Sequence, residues 1–154
     1  RPNLIVLRSM TKFFGIPGMR VGFAIGNKER IGEMMGYKEP WSVNTLGSIA
    51  AIESIGDTDY IEESRRYVAK ERDHLFSALK EIQWLKLFPS AANYILLKIK
   101  RDGVNADSLA ATLAKEGILI RSCSSFDGLG NRFFRVAVRN REENERLVKL
   151  LANQ

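Results

Sequence analysis

The chain has 154 residues, 45% of them apolar and 27% charged, a balance that suits one folded domain or the end of a larger one. Cys123 is its only cysteine and His74 its only histidine, which excludes disulfide frameworks, Cys/His metal sites and histidine-based triads within it. The net charge of +6 fits nucleic acid, a membrane surface or anionic small molecules, but the cations alternate with acids, as in Lys70-Glu71-Arg72-Asp73, the pattern of solvated helix faces and not of a nucleic-acid partner.

No apolar run approaches the roughly 18 to 20 residues needed to cross a bilayer, and no charged-then-apolar leader opens the chain. Neither membrane insertion nor secretion is therefore expected, and the cytoplasm is the expected location. The chain starts at Arg1-Pro2 without a methionine and reaches Leu4-Ile5-Val6-Leu7 within three residues, which reads as a fragment cut in just before a buried strand.

In chain order, Leu4 to Leu7 is short, continuous and apolar, the pattern of a strand covered on both faces. Gly15, Pro17 and Gly18 break regularity before a second strand over Val21–Ile25. Asn27 is placed to cap a helix through Ile31, Met34 and Met35 that Gly36 closes. After a loop at Pro40–Asn44, Thr45 is the expected cap of a helix ending at Gly56-Asp57. From Thr58 to Ile82 apolar residues recur every seven positions (Ile61, Val68, Leu75, Ile82), which predicts a long amphipathic helix. Beyond it the spacing predicts strands over Leu85–Phe88, Tyr94–Ile99, Ile118–Arg121 and Phe133–Val138, with helices over Ala106–Lys115 and Glu142–Leu151. The change of rhythm places a domain boundary inside the long helix, with the end of an α/β domain over residues 1–65 and a small α+β domain over 66–154.

The segment richest in chemistry is Ser9-Met10-Thr11-Lys12-Phe13-Phe14-Gly15-Ile16-Pro17-Gly18-Met19-Arg20-Val21-Gly22. It sets a hydroxyl, an amine and a guanidinium around a glycine-rich bend after a strand, which suits an anionic cofactor carrying a carbonyl. A lysine forms a Schiff base with an aldehyde when its pKa is lowered, and a cation such as Arg20 nearby pushes that way. Arginine grips phosphate bidentately, Ser9 adds a short hydrogen bond, and glycines let the backbone come close. A lone Ser-x-x-Lys, by contrast, marks no more than an exposed loop.

A second constellation lies downstream. Arg121 stands at the end of one predicted strand and Arg135 inside the next, and alternation puts Phe133, Arg135 and Ala137 on one face with Phe134, Val136 and Val138 on the other. A cation flanked by Phe133 and Ala137 meets either an internal carboxylate or an anionic ligand. Asn93, before Tyr94, reads as a strand-start residue.

Taken whole, Ser-x-x-Lys followed by Gly-Ile-Pro-Gly-x-Arg-x-Gly, with the arginine eight positions after the lysine, resembles the pyridoxal-phosphate-dependent enzymes of the aspartate-aminotransferase fold, including the histidinol-phosphate aminotransferases. The resemblance runs from Asn3 to Leu151. It implies an α/β fold of which this chain is the C-terminal part, with a remnant of the cofactor-binding large domain and the small α+β domain. It implies pyridoxal 5'-phosphate as cofactor, with Lys12 as the catalytic residue that carries it and Ser9 and Arg20 on its phosphate. It further implies that Arg135 binds the substrate's α-carboxylate and Arg121 a substrate phosphate.

Leu7–Phe13, Pro40-Trp41-Ser42-Val43-Asn44, and Leu119–Cys123 with Gly128-Leu129 and Arg135–Arg139 resemble the threonine-phosphate decarboxylase branch, which serves cobalamin biosynthesis. The alternatives are the histidinol-phosphate aminotransferase branch and a non-catalytic interaction module retaining family motifs. The resemblance implies a small phosphorylated amino acid as substrate and a homodimer as the complete enzyme, with Trp41–Asn44 near the interface. Family members place further cofactor contacts upstream of the lysine strand, so the 154-residue chain is expected to be inactive alone.

Overall fold

The computed structural model describes residues 1–154 and divides into two compact units, Arg1–Ile61 and Glu62–Gln154. No helix is long and apolar enough to cross a membrane.

In the first unit, β1 (Ile5–Ser9) runs antiparallel to β2 (Gly22–Gly26), in register from Ile5 opposite Gly26 to Ser9 opposite Gly22. Gly22 has a steric reason, since a Cβ there would lie 2.6 Å from the Arg8 carbonyl oxygen. The apolar run before Lys12 does form a strand, but every residue of β1 is exposed, where burial on both faces was expected. The reason is that β2 is its only strand partner, and the buried cluster of this unit starts just past it, with Met10, Val21 and Ala51. Next comes α1 (Lys28–Gly36), capped as anticipated by Asn27, whose Oδ1 accepts from the Glu29 N–H at 2.9 Å. The cap of α2 (Thr45–Gly56) is Asn44, one residue before the expected Thr45. Asn44 has extended backbone and its Oδ1 accepts from the Gly47 N–H at 2.7 Å, the geometry an N-cap needs. Leu46, Ile49 and Ile52 of α2 are exposed.

Helix α3 (Thr58–Lys80) carries the division between the units in its first turn. In the second unit its inner stripe is Glu71, Leu75 and Leu79, while Ile82 is buried beyond the helix end. The strands β3 (Leu85–Leu87), β4 (Tyr94–Ile99), β5 (Arg121–Ser122) and β6 (Phe133–Ala137) form an antiparallel sheet in the order β3-β4-β6-β5. The helices are α4 (Ala106–Lys115) and α5 (Arg141–Ala152). One sheet face, with Ile95, Leu97, Ile99, Phe134 and Val136, is buried against Leu75 and Leu79 of α3, Leu109 and Leu113 of α4, and Leu147 and Leu151 of α5. The other face carries Tyr94, Leu96, Lys98, Phe133, Arg135 and Ala137 and has no helix of the core on it.

Strand β5 starts later than predicted. Gly117 takes a left-handed φ of 73°, and the Ile118 N–H donates to the Leu113 carbonyl at 3.0 Å, so Ile118 finishes α4 instead of starting a strand. Arg121 consequently opens β5 where it was expected to end one.

A buried carboxylate ties α3 to α5. Glu71 accepts from Arg141 Nε at 3.0 Å and Nη2 at 2.9 Å, and from Asn144 Nδ2 at 3.4 Å. The Arg141 hydrogen bonds hold the Glu71 carboxyl below the usual carboxylate range against the opposing pull of desolvation. Asn144, itself buried, also accepts from the Arg139 N–H and donates to the Arg139 carbonyl, fixing the start of α5.

Candidate functional site

Ser9 closes β1, and the pairing with β2 continues one residue further, since the Met10 N–H donates to the Val21 carbonyl at 3.2 Å. The Ser9 Oγ accepts from the Thr11 N–H at 3.3 Å, which turns the chain immediately after the strand. Lys12 lies in that turn with its side chain exposed, and its carbonyl accepts from the Gly15 N–H at 3.3 Å, Gly15 taking a φ of 64°. From α3 the Tyr60 hydroxyl donates to the Phe13 carbonyl at 2.8 Å, and its ring packs 6.0 Å from that of Phe14. The residue after Lys12 is thus pinned by a side chain 47 positions away in sequence.

Arg20 follows the short 3-10 turn Pro17–Met19 with a left-handed φ of 51°, a conformation that costs a non-glycine residue on the order of 1 kcal/mol. Two contacts hold it. Its Nη1 donates to the Pro17 carbonyl at 3.1 Å, and Asn44 Nδ2 donates to the carbonyl of the preceding residue, Met19, at 3.0 Å. Gly47 lets the start of α2 come this close, because a Cβ there would lie 2.9 Å from the same carbonyl oxygen. Asn44 therefore caps α2 with one end of its amide and steadies the Arg20 bend with the other.

An open groove in this unit is lined by Ser9, Thr11, Arg20 and Gly22, among others. The structure thus brings together the hydroxyl and the guanidinium singled out in the sequence, and Lys12 projects from the adjoining turn. Neutral hydroxyl and cationic guanidinium donors beside bare backbone form a donor set that fits a phosphate.

In the second unit the structure brings Arg121 and Arg135 together as directly opposed partners on β5 and β6. Like charges in that relation repel, and neither guanidinium forms an ion pair with a carboxylate; the arginines of this unit that do are Arg72, Arg132, Arg139 and Arg141. Aromatic rings stand in place of acids. The Arg135 guanidinium lies 4.9 Å from the Tyr94 ring centroid and 5.9 Å from that of Phe126, and Arg121 lies 5.9 Å from Phe126. An aromatic ring attracts a guanidinium without taking up its N–H groups as a carboxylate would, so they stay available to an anion. Asn93 acts through its backbone, its carbonyl accepting from the Val138 N–H at 2.8 Å, which suits a strand-start residue.

The class I and II aminotransferase family matches residues 1–151, which is nearly the whole chain. The chain belongs to that family. Class I and II aminotransferases of this kind depend on pyridoxal phosphate. A Caldanaerobacter subterraneus subsp. tengcongensis protein, provisionally named a threonine-phosphate decarboxylase, is 44% identical over 149 residues, covering 97% of this chain and 40% of that protein. Histidinol-phosphate aminotransferase of Methanocaldococcus jannaschii is 40% identical over 149 residues, covering 97% of this chain and 39% of the relative. The crystal structure of histidinol-phosphate aminotransferase from Clostridium acetobutylicum superposes with a TM-score of 0.91 at 35% identity, covering 97% of this chain and 45% of that one. The fold is accordingly that of the pyridoxal-phosphate-dependent aminotransferases. The chain spans about two fifths of the length of these curated relatives.

Sequence reading missed four supporting residues: Asn44, Tyr60, Tyr94 and Phe126. Tyr94 had a usable signal, since strand alternation puts it on the Leu96 and Lys98 face. The other three act across turns or between elements, where periodicity carries no information.

Proposed function

We propose that this chain is the C-terminal part of a pyridoxal-phosphate enzyme that removes CO2 from O-phospho-L-threonine, giving 1-aminopropan-2-yl phosphate for cobalamin biosynthesis. The observation that carries this reading is the side-by-side pair Arg121 and Arg135, free of acid partners and held by aromatic faces. Two adjacent unneutralised guanidiniums suit a substrate that bears both a carboxylate and a phosphate. The 44% identity to the Caldanaerobacter relative supports the decarboxylase branch.

In this reading residues 1–65 are the end of the large cofactor domain and residues 66–154 the small domain. Ser9 Oγ and the Arg20 guanidinium bind the cofactor phosphate, and Lys12 Nζ is the point of covalent attachment. The bound cofactor supplies an electron sink for the pair released at the substrate's α-carbon when a bond there breaks. Arg135 takes the α-carboxylate and Arg121 the phosphate, so together they set which bond at the α-carbon is presented for cleavage. Lys12 Nζ returns a proton to the α-carbon after CO2 has left. The complete protein acts as a cytoplasmic homodimer.

The second reading, histidinol-phosphate aminotransferase, is favoured by the 40% identity to the Methanocaldococcus enzyme, and it uses the same five residues. A protein of the relatives' full length carrying this chain decides between them. CO2 release from O-phospho-L-threonine supports the first, and 2-oxoglutarate-dependent transamination of histidinol phosphate without CO2 release overturns it. Lys12→Ala is expected to abolish the visible absorbance of the bound cofactor and to lower turnover by about 10²- to 10⁴-fold. Retained absorbance in that variant removes Lys12 from its role.

A further inference from the structure

We propose that Phe126 is a positioning residue that couples Arg121 to Arg135, setting the spacing of two anion-binding guanidiniums through one shared ring. This rests on the reading of those arginines as ligands of the substrate's anionic groups. The ring of Phe126 is 5.9 Å from each guanidinium, and it is the only side chain in cation–π contact with both. Arg121 and Arg135 are opposed across β5 and β6, where mutual repulsion drives their charged ends apart unless something holds them. A carboxylate there would neutralise both and consume the N–H groups a ligand needs. An aromatic face attracts a cation without accepting those in-plane hydrogen bonds.

The ring is also well placed to act as a fixed reference. The Phe126 N–H donates to the Cys123 carbonyl at 3.0 Å, and its own carbonyl accepts from the Leu129 N–H at 3.2 Å. Cys123 is buried, with its N–H bonded to the Phe133 carbonyl on β6 at 2.8 Å, so the turn bearing Phe126 is tied to the same strand as Arg135. Yet Phe126 is 41% exposed, so it is not a core residue. Removing it should therefore leave folding intact while loosening both arginines.

The test is calorimetric binding of O-phospho-L-threonine and of L-threonine to the cofactor-loaded protein of the relatives' full length. Phe126→Leu is expected to weaken O-phospho-L-threonine about fivefold, the loss of roughly 1 kcal/mol of cation–π attraction, with L-threonine weakened less and the melting temperature unchanged. Phe126→Tyr, which keeps the ring, should bind as the parent does. In a double-mutant cycle, Phe126→Leu should add less in the Arg121→Gln background than in the parent. Parental affinity in Phe126→Leu, or equal weakening in Phe126→Tyr, overturns the coupling role while leaving the arginines in theirs. Parental affinity in both Arg121→Gln and Arg135→Gln overturns the underlying reading, and the coupling role with it.

Discussion

The two units are built on opposite economies. Residues 62–154 bury a continuous core from three helices and a four-stranded sheet, whereas residues 1–61 bury only Met10, Val21, Gly47 and Ala51 and leave Ile5, Val6 and Leu7 of β1 and Leu46, Ile49 and Ile52 of α2 exposed. Yet the lysine motif lies in the thinly packed unit. There, order around the motif comes from a few polar contacts, with Asn44 on Met19 and Tyr60 on Phe13, and not from a hydrophobic interior. The lesson is that local geometry at a site and global stability have separate sources in this chain.

The sharpest way to break the comparison is to separate the units. Residues 62–154 expressed alone should melt in one cooperative transition, and residues 1–61 alone should show none, as followed by circular dichroism. A cooperative melt of the shorter piece would show that the thin cluster suffices. Next in size, Leu79→Ala at a fully buried site should cost about 2–5 kcal/mol in denaturant unfolding, against less than about 2 kcal/mol for Val21→Ala in the small cluster. Equal costs would erase the distinction. Smaller again, Asn44→Ala should cost about 1 kcal/mol by removing the α2 cap, and it should also weaken the phosphate binding proposed for Arg20 by releasing Met19. A stability loss with unchanged phosphate binding would confine Asn44 to capping.

The smallest effect is resolved only by pH. Because Arg141 lowers the folded-state pKa of Glu71, the pair's contribution is complete above the ordinary carboxylate range and is lost as pH falls through the lowered value. Glu143, lowered in the same way by Arg139, adds to the same acid limb. Glu71→Gln keeps the volume and loses the charge, so its melting temperature should lie below the parent's near neutrality and converge with it in acid. A constant offset at every pH would show that the charge of Glu71 contributes nothing.

How much was legible in advance varies with the kind of information needed. The sequence by itself determined the features that repeat along the chain or are spelled out in a contiguous run. These include α4 at Ala106–Lys115, β4 at Tyr94–Ile99, the Asn27 cap, the alternation that leaves Arg135 on the face away from Phe134, and the Ser9–Gly22 motif with its family. Periodicity and local hydrogen bonding involve near neighbours, so they are written in near-neighbour order. Only the tertiary structure decided that β1 is exposed, that Ile118 finishes a helix so that Arg121 opens its strand, that Asn44 reaches Met19, and that Arg121 and Arg135 share the ring of Phe126. Each of these depends on strand register or on a turn bringing together residues from different elements, and a side chain's neighbours across such a gap are set by packing, not by its position in the sequence.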